Sequence, residues 1–88
     1  MGIPQTIRPL VIRHVDNETP AGAINGINVN YVTIFGYYPP SVKVYLNGLR
    51  LSVGLTNDYT LDNDDTIIMN YAPLSGDILT VDYLRNSS

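Results

Sequence analysis

Residues 41–84 read SVKVYLNGLRLSVGLTNDYTLDNDDTIIMNYAPLSGDILTVDYL, and this stretch decides the fold class. Residues 42–46 alternate, and Asn47-Gly48 follows at once; both residues tolerate the positive φ of a two-residue type I′ hairpin turn. Residues 49–53 are then the returning strand. A second hairpin is expected from a short strand at 58–61, a polar turn at 62–65 and a strand at 66–71. Pro73 and Gly76-Asp77 turn the chain again. In residues 78–84, Ile78, Thr80, Asp82 and Leu84 share one face and Leu79, Val81 and Tyr83 the other, the period of two that marks a strand.

Upstream the same signals continue more loosely. Residues 27–35, INVNYVTIF, set Ile27, Val29, Tyr31, Thr33 and Phe35 against Asn28, Asn30, Val32 and Ile34, which predicts a strand. GYYPPS at 36–41 interrupts it, because each proline fixes its own φ and restricts the residue before it. DNETPAGAING at 16–26 is rich in turn formers and is expected to be a loop, with at most a strand-like 21–24. TIRPLVIRHV at 6–15 is β-branched, but Pro9 has no N–H for a ladder, so an edge strand or an extended arm is expected there. No window shows the three- and four-residue apolar spacing of a helix. The expected architecture is all-β: a small antiparallel β-sandwich of six or seven short strands with an extended N-terminal arm. Residues 1–15 are expected to form the arm and first strand, and 16–88 a single sandwich domain.

Composition narrows the classes of function. A chain of 88 residues makes one domain and one modest core, and with no Cys it has neither disulfides nor thiolate metal ligands to reinforce it. Packing of copies against one another is the remaining reinforcement, so a homo-oligomer is expected, with a trimer favoured. The net charge is −3 and the 5 basic residues are scattered, which argues against a nucleic-acid surface. The opening MGIPQTIRPL lacks a basic segment followed by an apolar one, and no apolar run approaches membrane-spanning length. A soluble, unsecreted chain is expected.

Candidate chemistry is sparse. Asp62, Asn63, Asp64 and Asp65 are hard oxygen ligands in one run, but the glycine and terminal glutamate of a calcium loop are missing, and Asn and Asp are ordinary turn residues. No metal and no cofactor are expected. His14, the sole histidine, stands beside Arg13 and Asp16 without a nucleophile in a strained elbow. Asp58, Asp77 and Asp82 would make a glycosidase pair only at a defined separation, and two of them sit where short acids cap turns. An enzyme is not expected. The 7 tyrosines beside one Phe and no Trp are the oddity of the composition, since Tyr joins a large apolar face to a polar tip suited to interfaces. Tyr45, Tyr59, Tyr71 and Tyr83 fall in strands as cross-strand packing. Tyr37-Tyr38, before two prolines, reads as an exposed pair: a carbohydrate platform or an anchor into a neighbouring subunit.

One ordered set of short motifs runs from Glu18 onwards: ETPAGAING at 18–26, YLNG at 45–48, DYT at 58–60 and GDILTVDY at 76–83. In order and spacing this set resembles β-sandwich modules of tailed-bacteriophage virions, found in capsid decoration proteins, head fibres, collars and tail fibres. The resemblance implies a virion structural protein that binds other coat subunits, whether the major capsid protein or tail and collar proteins. With a short arm and no trailing receptor-binding domain in this sequence, a decoration (cement) or head-fibre component is the first expectation. A carbohydrate-binding adhesin or tail-fibre module is the alternative. The expected partner-binding residues are Ile7, Arg8, Leu10, Ile12 and Arg13 of the arm, together with Tyr37 and Tyr38. A proline-containing extended segment of that kind suits addition to a partner's sheet edge.

Overall fold

The alternation at the chain's end sets the centre of the structure. Leu79, Val81 and Tyr83 are buried, while Ile78 and Leu84 are exposed. In the computed structural model, which describes residues 14–86, this stretch is strand β7 (Leu79–Leu84). Six strands precede it: β1 (His14–Glu18), β2 (Asn30–Val32), β3 (Lys43–Leu46), β4 (Leu49–Arg50), β5 (Tyr59–Asp62) and β6 (Thr66–Met69). They form two antiparallel sheets, ordered β1-β7-β3-β4 and β2-β6-β5. The fold is the expected small all-β sandwich, with seven strands among the described residues. The only helical feature described is a 3₁₀ turn at Pro39–Ser41, where consecutive prolines supply the required φ.

Both hairpins form where turn chemistry places them. Leu46 pairs with Leu49 across Asn47 (φ 53°) and Gly48 (φ 85°), the two positive angles of a type I′ turn. Asp62 pairs with Thr66, so the acidic run forms a three-residue turn with Asn63 at φ 53°. The sheets also join at both flanks. Ala21, beyond β1, exchanges two backbone hydrogen bonds with Val32 of β2 at 2.8 and 2.9 Å. Val53, beyond β4, bridges to Tyr59 of β5, supported by Gly54 N–H to Tyr59 O at 2.7 Å.

Between the sheets lie Tyr31, Tyr37, Tyr59 and Tyr83 with Val42, Val44, Ile67, Met69, Leu79 and Val81. A buried phenol needs a partner for its hydroxyl. The Tyr31 hydroxyl reaches the carbonyls of Ala23 and Asn28, each at 3.0 Å, and the Tyr37 hydroxyl donates to Thr66 O at 2.6 Å. Burial raises the acid pKa of Tyr31 and Tyr59, and pushes those of Tyr37 and Tyr83 up to about 12. The two rings of Tyr37 and Tyr83 meet edge to face, centroids 6.3 Å apart at 76°, a favoured aromatic arrangement.

Three sequence expectations change. The predicted loop at 16–26 surrenders Asp16, Asn17 and Glu18 to β1, so the expected boundary after residue 15 falls inside a strand. The predicted strand at 27–35 keeps a ladder only over Asn30–Val32. At its start, the Asn25 carboxamide accepts from Ile27 N–H and Asn28 N–H, both at 2.9 Å, and Ile27 is left 82% exposed; local side-chain bonds there outcompete the ladder. Tyr71 lies past the end of β6 and is exposed, its hydroxyl 3.4 Å from Asp58 Oδ1.

Candidate interaction surface

The site begins with an irregularity in β1. Val15 opposes Tyr83 and Glu18 opposes Val81, so β1 carries one residue more than β7 between those pairs. This is a β-bulge. Asn17 absorbs it with φ 56°, and its N–H donates to Asp82 Oδ1 at 2.8 Å. In an unbulged strand Asn17 would oppose Val81 and Glu18 would face the other way, because a slip of one residue exchanges the faces. The extra residue therefore turns a carboxylate inward.

Glu18 is buried, and both its oxygens are engaged: Oε1 accepts from the Tyr83 hydroxyl, and Oε2 from Ile34 N–H at 2.7 Å. Phe35 N–H donates in turn to the Tyr83 oxygen at 3.3 Å. Desolvation raises the Tyr83 pKa first, and the bond to Glu18 raises it further. The neighbouring backbone is fixed as firmly. Thr33 N–H donates to Asp65 O at 2.8 Å and Tyr37 N–H to Asp64 O at 2.7 Å, while the Thr33 hydroxyl donates to Phe35 O at 2.6 Å. Tyr38 N–H and Asn86 N–H tie the segment to the end of β7 through Leu84 O (2.8 Å) and Gly36 O (3.0 Å). Residues 33–38 thus form a loop with little freedom.

What the loop presents is apolar. Ile34 is 72% and Tyr38 54% exposed, with Phe35 and Leu84 also open to solvent. The guanidinium carbon of Arg85 stands 3.8 Å from the centroid of the Phe35 ring, within cation–π range. Asp62, Asp64 and Asp65 sit on the turn to which residues 33 and 37 are hydrogen-bonded, so an acidic rim borders the apolar face. His14, where the described chain begins, pairs with Leu84 at the same end. The opposite end carries a second apolar group. Ile27, Leu49, Leu74 and Ile78 are exposed around the β3–β4 turn and the 74–77 turn, which are joined by Asn47 N–H to Ile78 O at 2.8 Å.

Of the predicted partner-binding residues, Tyr38 stands on this face. Tyr37 does not: it is fully buried, and the expectation of an exposed tyrosine pair is corrected. Adjacent residues in extended backbone point to opposite sides, and Tyr37 bridges Arg85 while Tyr38 faces out. Ile7, Arg8, Leu10, Ile12 and Arg13 lie outside the described residues. Sequence reasoning missed Ile34, Leu84 and above all Glu18, whose inward aim depends on the bulge.

The weighed chemical groups resolve into structural bonds. Asp77 accepts from the Asn47 carboxamide at 3.0 Å and from Leu74 N–H at 2.8 Å, and those two bonds, the first above all, lower its pKa. Asp58 accepts from Ser52 N–H at 2.8 Å, and Asp82 holds the bulge. His14 Nδ1 lies 3.3 Å from Asp16 in an exposed pair. Among the described residues no three His, Asp or Glu side chains converge as a metal would require. Compared with protein-family models, curated proteins and solved structures, the chain matches none.

Proposed function

We propose that this chain is a structural component of a tailed-phage virion, a capsid decoration or head-fibre module, that binds other coat subunits by burying apolar surface at its ends. The observation that carries the proposal is the face of Ile34, Phe35, Tyr38 and Leu84, held in place from beneath by Glu18 and Tyr83. Exposed apolar groups gathered on a rigid support mark interaction surfaces, because their burial releases water while little conformational freedom is lost. The motif order from Glu18 onwards supports the virion assignment by resemblance, and the two-sheet fold agrees with it. Its mode of action is adhesion: Asp58, Asp77 and Asp82 are each occupied by backbone or amide donors.

The test is a deletion of residues 1–10 followed by binding to undecorated particles. Binding is expected to be lost with the two-sheet fold retained by circular dichroism, since among the described residues the buried hydrophobic cluster runs from Tyr31 to Tyr83. Decoration by the truncated protein would overturn the arm's role. The glycan-binding alternative loses its two-ring platform with the burial of Tyr37, and Tyr38 alone is a smaller stacking surface than one based on both rings.

A further inference from the structure

We propose that the first thirteen residues of one copy of this chain seat on the apolar end face of a second copy, Leu10 and Ile12 against Ile34, Phe35 and Tyr38, and Arg8 and Arg13 against the acidic turn. The inference rests on the arm of the preceding proposal and names its partner. Four observations converge on it. All eight carboxylates of the chain lie in residues 14–86 against Lys43, Arg50 and Arg85, a net of −5, whereas residues 1–13 hold two arginines and no acid. Those thirteen residues also hold Ile3, Ile7, Leu10, Val11 and Ile12, so they are at once apolar and basic. The end face is apolar, with one cation, Arg85, over Phe35 and with Asp62, Asp64 and Asp65 on the turn hydrogen-bonded to its backbone. Finally, His14 pairs with Leu84, so the segment departs beside the face it matches.

Reach selects a second copy over the chain's own face. The first turn former before His14 is Pro9, and residues 9–13, PLVIR, span about 16 Å when extended. A turn at Pro9, the first turn former before β1, would leave Leu10 and Ile12 on the stretch before the turn. A neighbouring copy meets the whole run. The contact joins unlike surfaces, arm to face, so each copy offers one of each, and such contacts close into a ring or extend in a row.

The experiment uses full-length protein in three forms: the natural sequence, an arm variant carrying Leu10→Asp with Ile12→Asp, and a face variant carrying Ile34→Asp. Ile34 is largely exposed, so its replacement leaves the core intact, and circular dichroism melts of all three check this. Light scattering over a dilution series is expected to show the natural protein associated and each variant monomeric. Mixed in equal amounts, the two variants are expected to form dimers and nothing larger, because one intact arm then meets one intact face. A monomeric natural protein, a variant that still associates, or a mixture that stays monomeric would overturn the inference. Particle binding is scored separately: complementation without particle binding removes the virion proposal alone, and particle binding by a strictly monomeric protein removes this inference alone.

Discussion

Replacing Glu18 with alanine tests how the end face is supported. The substitution removes the acceptor of two bonds, one from the buried Tyr83 hydroxyl and one from Ile34 N–H. Hydrogen bonds to a charged group contribute roughly 1.5–3 kcal/mol each, and a buried donor left without an acceptor adds a desolvation penalty. Ile34 N–H lies near the surface and regains water, so the sum is taken at the low end, about 3 kcal/mol. A chain of 88 residues has a total stability of roughly 4–13 kcal/mol, which makes this a large fraction. At about 4–8 °C per kcal/mol for a domain of this size, the melting midpoint should fall by about 12–24 °C. Glu18→Gln keeps the shape but turns an NH₂ toward one of the donors, and should cost about half as much. Calorimetry at neutral pH gives the midpoints, and amide hydrogen exchange should show Ile34 N–H losing protection in the alanine variant. A fall below about 4 °C with Ile34 protection unchanged would mean that the carboxylate does not hold the loop.

Further expectations follow from other parts of the molecule. Tyr37 and Tyr83, with pKa values near 12 in the fold, ionise near 10 once unfolded, so their contribution is complete below pH 10 and is lost as pH rises from 10 through 12. Ultraviolet titration should show two phenols ionising last, and denaturant midpoints should drop across that interval; full ionisation of all tyrosines by pH 11 in the folded protein would refute this. Two glycines should behave unequally. A Cβ on Gly22 (φ +148°) would stand 2.6 Å from Tyr31 Cδ1 and 2.8 Å from Asn30 O, whereas one on Gly48 (φ +85°) meets nothing within 4 Å. Gly48→Ala should cost about 1 kcal/mol from backbone strain alone, and Gly22→Ala at least twice that from strain and overpacking together; equal thermal midpoints would contradict the close packing of Gly22 on Tyr31.

The turns and the closing strand were legible because their signals are local. Asn47-Gly48 and Asn63 adopt the positive φ that their side chains permit, and the alternation of Leu79, Val81 and Tyr83 matches the buried face of β7. The site was less legible because its determinants are not local. Asp16 and Asn17 resemble any loop, yet Asn17 takes the left-handed conformation inside a strand and so reverses the aim of the next residue. Tyr37 and Tyr38 look alike beside two prolines, but only Tyr37 finds Tyr83 and the carbonyl of Thr66 to cover it. The early fraying of the strand after Ile27 depends on Asn25, whose carboxamide competes for the N–H groups a neighbouring strand would otherwise take.

The bridges at Ala21–Val32 and Val53–Tyr59 reach beyond the stability of one copy. A sheet with open margins grows sideways by recruiting strands from neighbours, the usual route to fibrous aggregates. Here the two stitches occupy backbone groups at margins of both sheets, and the bulge in β1 interrupts the regular ladder that a recruited strand would need. Exposed apolar side chains gather at both ends, and Val32 and Val53 of the stitches, with Leu55 beside the second, are open to solvent as well. The stitches thus close routes by which backbone pairing would fuse neighbouring copies, and leave contact between copies to side chains.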